Sequence, residues 1–139
     1  MDLHTHPLIA AEMNRAWQES QAGDPAARHE EGGYIVRILD LSYGVDRWPR
    51  GDRSRIFPPP LQVGNRYNDR VVIAAFHTHP NPPLDEEGRE WDQGPSESDR
   101  RWHARKLLPG FVISQRFLYY LDAHGISSIL AKRDETVGS

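Results

Sequence analysis

The stretch that decides the fold is VVIAAFHTHP, residues 71–80. Its first six residues are apolar and rich in β-branched side chains, which predicts a buried β-strand over Val71–Phe76. Side chains two apart in a strand point to the same face, so His77 and His79 would present their imidazoles side by side where the strand ends. Pro80 cannot donate to a sheet ladder and stops the pairing. Two neutral imidazoles on one face form half of a tetrahedral zinc site.

A candidate for the third ligand lies downstream, where residues 97–108 are predicted to form a helix. Ser96 is a good N-cap residue, and Asp99 falls three positions later, in the first helical turn. The same pattern is typical of an ordinary helix cap, and on its own it indicates nothing more. Beside two imidazoles, however, Asp99 would complete three ligands and leave a fourth position for water, as catalytic zinc sites do.

This combination resembles a known family. His-Thr-His-Pro followed by Ser-x-x-Asp is similar to the signature of the JAMM (MPN-plus, JAB domain) zinc metalloproteases. That family also carries a glutamate three residues before a small residue that opens an apolar strand. Glu30 before Gly33 matches this pattern, and Glu31 is the neighbouring alternative. The resemblance covers residues 30–125. It implies an α/β domain with a curved mixed β-sheet flanked by helices, of JAMM/MPN and cytidine-deaminase-like architecture. The length of the chain predicts one such domain over residues 1–139.

The chain departs from the family in one spacing. Residues 81–95 separate Pro80 from Ser96, about twice the usual distance, which resembles a bacterial branch with variable loops. This segment is polar and contains several prolines and glycines, so it is expected to be a loop that borders and gates the site. Its acidic residues 85–87 would favour a basic or extended polar chain. Trp91 is a candidate substrate-binding residue.

The chemistry of such a site follows from its residue types. Zn²⁺ held by His77, His79 and Asp99 would lower the pKa of a bound water to about 7. Glu30 would serve as the general base that takes the proton of this water and passes it to a leaving amine. Ser96 could donate a hydrogen bond to the oxyanion that develops, because a hydroxyl can accept a cap bond and still donate its own proton.

The function expected from these residues is that of a zinc-dependent metallopeptidase or isopeptidase acting on a protein or peptide, which in relatives of the family is often a ubiquitin-like tail. Three alternatives stay open: a toxin or effector hydrolase domain of a larger secreted protein, a non-catalytic MPN-type interaction scaffold, and a hydrolase of small amides. The oligomeric state is not indicated by the sequence.

Composition narrows the class of protein. The chain has 139 residues, a formal net charge of −3 and no long apolar run, which predicts no nucleic-acid or membrane partner and a cytoplasmic location. Cysteine is absent, which excludes disulfides and cysteine-ligated zinc. It also removes the zinc nucleobase deaminases, which need a Cys-x-x-Cys pair.

The rest of the chain is predicted from its periodicity. A helix is expected over Leu8–Glu19, and residues 42–64 are expected to form a polar connector with solvated arginines. Strands are expected over Gly33–Leu41, Gly110–Ser114, Phe117–Leu121 and Ile126–Ala131, before a frayed tail over Lys132–Ser139.

The remaining histidines and tryptophans are given minor roles. His4-Thr5-His6-Pro7 repeats the central tetrapeptide, and the repetition is interpreted as coincidence ahead of a helix. Trp102 is expected in the core, His29 beside the catalytic glutamate, and His103 and His124 on the surface.

Overall fold

A computed structural model describes residues 2–39 and 42–133 as a mixed α/β fold, a seven-stranded sheet flanked by two helices. This confirms the fold class predicted from the sequence. The helices are α1 (Pro7–Glu19) and α2 (Glu97–Lys106), and a short 3-10 turn (Leu3–Thr5) precedes α1. The strands are β1 (Gly32–Arg37), β2 (Tyr43–Arg47), β3 (Arg66–Tyr67), β4 (Arg70–Thr78), β5 (Gly110–Ile113), β6 (Phe117–Leu121) and β7 (Ser127–Lys132).

Strand β4 lies inside the sheet and carries the decisive stretch. The spatial order is β2-β1-β4-β5-β6-β7, and β3 forms a short hairpin with β4. β4 pairs antiparallel with β1 and parallel with β5, so the chain must cross over between β4 and β5. Residues 79–96 and helix α2 make this crossover. The carboxyl end of β4 and the start of α2 are therefore brought to the same edge of the sheet.

The two faces of the sheet carry separate apolar clusters. On one face, α1 packs through Ile9, Met13 and Trp17 against Phe76 and other buried residues. The opposite face buries a second cluster, made of Tyr34, Val36, Trp48, Val72, Ala75 and Leu108, with Trp102 of α2 packed against it. Side chains alternate along a strand, so His77, which follows Phe76, lies on the α2 face.

Residues 42–64 were expected to form a polar connector, but this segment contains strand β2, which pairs with β1. Its charged residues are not simply solvated. Arg47 contacts the carboxylates of Glu19 and Glu31, and Asp46 lies 3.4 Å from Arg70. The prediction failed because these charges are neutralised by partners on other elements, which the local sequence does not reveal.

Apart from the short strand β3, which was not predicted, the other differences are at the ends of elements. β1 ends at Arg37 rather than at residue 41, although residues 40 and 41 lie outside the described residues. β7 begins at Ser127 and continues through Lys132, into the tail that was expected to be frayed. Residues 134–139 of that tail also lie outside the described residues. Within the described ranges, no helix combines the length and the apolar character that a bilayer crossing requires.

Candidate metal centre

Two histidines meet where β4 ends. The Nε2 atoms of His77 and His79 lie 3.1 Å apart, and the backbone N–H of His79 donates to the carbonyl of Ile113, 2.9 Å away, beyond the last residue of the strand. This bond to the β5 side keeps the backbone extended past Thr78, so the two imidazoles stay on the same face.

Asp99 approaches the histidine pair from the start of α2. The helix begins with a capping box, in which the Ser96 hydroxyl accepts from the Asp99 N–H at 3.0 Å and the Asp99 carboxylate accepts from the Ser96 N–H at 2.8 Å. The same carboxylate oxygen, Oδ2, lies 3.4 Å from Nε2 of His77 and 3.4 Å from Nε2 of His79. The cap therefore fixes the carboxylate against both imidazoles.

The three atoms form a triangle with edges of 3.1, 3.4 and 3.4 Å. Ligands placed about 2.0–2.1 Å from a tetrahedral zinc ion are separated by about 3.3 Å. The donor set and its spacing thus fit Zn²⁺ bound by three protein ligands. One feature is incomplete for such a site: Nδ1 of His79 is buried and has no hydrogen-bond partner among the described residues.

Glu30 completes the cluster from the segment before β1. One carboxylate oxygen of Glu30 and one ring nitrogen of each histidine all lie within 4.8 Å of one another. The backbone of Glu30 is held by residues 51–52: its N–H donates to Asp52 at 2.7 Å, and its carbonyl accepts from Gly51 at 3.0 Å. The residue is 6% exposed, and this burial raises the pKa of the Glu30 carboxyl despite the two imidazoles nearby.

Glu31 is directed away from the cluster. Its carboxylate accepts from Arg47 at 2.6 Å and lies 2.5 Å from Nε2 of His29. The ring of His29 also lies 2.9 Å from the carbonyl of Ala27 through Nδ1. Of the two adjacent glutamates, the structure thus brings Glu30 to the histidines and Glu31 to a buried ion-pair network, and His29 belongs to that network.

Without a metal, the His77 imidazole and the Asp99 carboxyl shift each other's pKa. Burial alone would lower the pKa of His77, but the carboxylate of Asp99, acting through charge and hydrogen bonding, raises it to about 9. Burial opposes ionisation of Asp99, yet the two imidazoles hold the pKa of its carboxyl well below the usual range. Without a metal, these shifts favour a protonated His77 beside an ionised Asp99.

The cluster opens onto a cleft of about 630 Å³. Ser96 lies on its wall together with the three proposed ligands and Glu30. The Ser96 hydroxyl accepts the cap bond from Asp99, and its own proton is left for a group in the cleft. Aromatic side chains from several segments complete the wall: Trp48, Phe57, Trp91 and Trp102.

The segment over residues 81–95 is a folded loop built around Asp85. The Asp85 side chain is 1% exposed and accepts hydrogen bonds from the Trp91 ring at 2.9 Å, from two backbone N–H groups of the loop, and from the guanidinium groups of Arg53 and Arg89. The next residue, Glu86, forms a two-bond contact with buried Arg28. Two of the acidic residues expected to face a substrate are therefore engaged within the protein, whereas Trp91 does line the cleft.

His103 is a residue that sequence analysis placed wrongly. It was expected on the surface, but it is 3% exposed and lines the cleft. Its Nδ1 lies 2.7 Å from the carbonyl of Leu108, and burial lowers its pKa, so the ring is neutral with Nδ1 as the donor. A Cβ at Gly110 would lie 2.3 Å from the His103 ring, so the absence of a side chain at position 110 makes room for the buried imidazole.

The other histidines lie away from the cluster. His6 packs edge-on against Tyr43 with ring centroids 5.1 Å apart, and His4 lies 6.0 Å from the ring of Phe111. Phe111 belongs to the apolar cluster on the α1 face, opposite the face that carries His77. His124 is exposed in a turn. Trp102 is partly buried against the cluster on the α2 face.

Comparison with known proteins adds no relative: no protein-family model, no curated protein and no solved structure matches this chain.

Proposed function

We propose that this protein is a zinc-dependent metallopeptidase or isopeptidase of the JAMM type. The observation that carries the proposal is the triangle of His77, His79 and Asp99, whose edges suit tetrahedral zinc, beside a buried glutamate and an open cleft. Three protein ligands with space on the fourth side are typical of hydrolytic zinc sites rather than structural ones.

In this mechanism the side chains that act on the attacking water and on the substrate are those of Glu30 and Ser96. When bound, zinc would supply a water of lowered pKa and polarise the carbonyl under attack. Glu30 accepts a proton from the attacking water as its oxygen bonds to the carbonyl carbon. The Ser96 hydroxyl donates a hydrogen bond to the carbonyl oxygen as it becomes negative. Glu30 then delivers the proton to the amine nitrogen as the C–N bond breaks, which returns the carboxylate to its starting state.

Burial of Glu30 supports this role. A general acid and base works best with a pKa near the operating pH, and burial moves the Glu30 carboxyl in that direction. The substrate in this proposal is a protein or peptide chain entering the cleft past Trp91.

Metal content tests the proposal first. We expect about one zinc per purified chain, and loss of that zinc in the double variant His77→Ala, His79→Ala. The chain offers a matched control, because His4-Thr5-His6-Pro7 repeats the same tetrapeptide on the α1 face. The double variant His4→Ala, His6→Ala should keep its zinc. Zinc retained in the first variant, or lost only in the second, would refute the site. Hydrolysis of a quenched fluorescent peptide library should follow the zinc content.

A second candidate function is favoured by one observation. Because Glu30 lies in the same cluster as the histidines, it could serve as a fourth ligand, which would close the site and make it structural, as in a non-catalytic scaffold. Glu30→Gln separates the two. A general base can be replaced with zinc retained and hydrolysis lost, whereas removal of a ligand weakens zinc binding itself.

The remaining alternatives share the same chemistry. A domain of a secreted effector would differ in location and target, and a small-amide hydrolase would differ in substrate size. We expect a cytoplasmic enzyme. Cleavage of peptides in preference to small amides such as acetamide would separate the proposal from the small-amide alternative.

A further inference from the structure

Thr78 lies between the two histidines but serves the opposite face of the strand. It is fully buried, and its side chain is directed away from His77 and His79 because neighbouring strand residues alternate. A threonine here could simply fill space. Its polar contacts show a more specific arrangement.

Thr78 forms two hydrogen bonds with the same residue, Glu31. The backbone N–H of Thr78 donates to the Glu31 carbonyl at 2.8 Å, and the backbone N–H of Glu31 donates to the Thr78 hydroxyl oxygen at 3.0 Å. The regular ladder between β1 and β4 begins one residue pair away, at Gly32 opposite His77. The hydroxyl therefore supplies an acceptor to the segment before β1, where the strand pairing ends.

This pair of bonds fixes the residue next to Glu30. On the other side, Glu30 itself is bonded to residues 51–52 through its own N–H and carbonyl. The segment is thus held from both sides, and its side-chain anchor is the contact of Glu31 with Arg47 and His29. Within this set of contacts, Thr78 is the residue that connects the segment to the strand carrying the histidines.

We propose that Thr78 is a positioning residue: its hydroxyl and amide clamp the Glu31 backbone to the end of β4 and thereby hold the Glu30 carboxylate at its working distance from His77 and His79. The inference rests on the proposed function, because that function requires the Glu30 carboxylate to stay at a fixed distance from His77 and His79. It assigns Thr78 no contact with metal or substrate.

Two substitutions at position 78 separate positioning from packing. Thr78→Val keeps the shape of the side chain and removes the acceptor, whereas Thr78→Ser keeps the hydroxyl and removes a methyl group. In Thr78→Val we expect full zinc content, faster exchange of the Glu31 amide hydrogen by about fivefold or more, and a kcat lower by about 10- to 100-fold with little change in KM. Thr78→Ser should restore both the amide protection and kcat to near the wild-type values.

Each contrary result has a definite meaning. Unchanged exchange at Glu31 in Thr78→Val would refute the bond, and faster exchange with unchanged kcat would refute the positioning role. Equal losses of kcat in the valine and serine variants would show a packing role only. Should Thr78→Val fail to fold, Thr78→Cys takes its place, because a thiol is a much weaker acceptor. If the wild-type protein binds no zinc, the proposed function is refuted, and with it the role of Thr78 in that function. If the zinc-loaded enzyme is active and its kcat does not change in Thr78→Val, only the positioning role of Thr78 is refuted.

Discussion

Zinc affinity should depend steeply on pH, because a proton and the metal compete for the same atoms. Because the Asp99 carboxylate raises the pKa of His77 to about 9, we expect its ring to be protonated at neutral pH in the metal-free protein, so that zinc must displace that proton. Each pH unit below this pKa changes the unprotonated fraction about tenfold, or about 1.4 kcal/mol. Between pH 6.5 and pH 8.5 we expect the apparent Kd for zinc to fall about 100-fold.

The stability of the metal-free protein should show the opposite trend. The folded-state pKa of His77 lies above its ordinary value of 6.5, so its contribution is fully present below about pH 6.5 and is lost as the pH rises through about 9. The pKa of Asp99 is lowered, so its contribution is present above its ordinary value of 3.8 and is lost as the pH falls below that. The stabilisation that the His77–Asp99 pair gives the metal-free protein should therefore be greatest between about pH 4 and pH 6.5, which Tm differences between the wild type and Asp99→Asn would measure.

The assay is calorimetric titration of metal-free protein with zinc in buffers of different ionisation enthalpy. At pH 7 it should count about one proton released from His77 per zinc bound. Glu31→Gln is the matched control, because Glu31 is paired with Arg47 and His29 on the other side of the segment, and it should leave the pH slope unchanged. A Kd that changes less than about threefold over this range, with no proton released, would refute the coupling between His77 and Asp99.

Single contacts of Glu30, Glu31, Ser96 and Gly110 can be tested by substitution. Glu30→Gln should keep its zinc, and its turnover should fall by about 10²–10⁴-fold. Glu31→Gln should keep its turnover, and its free energy of unfolding in urea should fall by about 1–3 kcal/mol; the reverse pattern would exchange the roles of the two glutamates. Ser96→Ala should lower the free energy of unfolding by about 1 kcal/mol and the turnover by about 10²–10³-fold. Ser96→Asp should restore the helix cap but not the turnover, and full activity in Ser96→Asp would show that Ser96 is a cap only. Gly110→Ala places a Cβ 2.2 Å from the backbone oxygen of Ala75 and should lower the free energy of unfolding by about 1–3 kcal/mol, and an unchanged urea midpoint would show that the sheet yields there.

Elements with a consistent local pattern could be predicted, and β4 is the clearest case. Val72, Ala74, Ala75 and Phe76 are buried, whereas Val71 at the start of the strand is exposed. The end of the strand at Thr78 follows from Pro80. The arrangement of Ser96 and Asp99 was also accessible, because a capping box depends on residues three apart. β2 was not, since the partners of its charges are Glu19 of α1, Glu31 before β1 and Arg70 of β4, all distant in sequence.

The burial of His103 depends on backbone geometry that the sequence conceals. Helix α2 ends with Leu107 in the left-handed conformation, at φ 53°, a position where glycine is usual. This turn returns the Leu108 carbonyl to the ring of His103. A leucine there gives no warning of it, and the neighbouring arginines on the helix suggest a solvated face. Asp85 was hidden in the same way, because an acidic run gives no sign that its first member is a buried acceptor.

The crossover between β4 and α2 has a consequence for how this chain could vary. His79 and Asp99 stand at its two ends, 3.4 Å apart, so a metal held between them would tie the ends of the intervening loop together like a staple. Doubling a flexible loop costs only about 0.6 kcal/mol in closure entropy. A tie of this kind would let the intervening segment lengthen, shorten or be exchanged while the ligands keep their places. The residues that line the cleft could then change while the metal ligands stay in place.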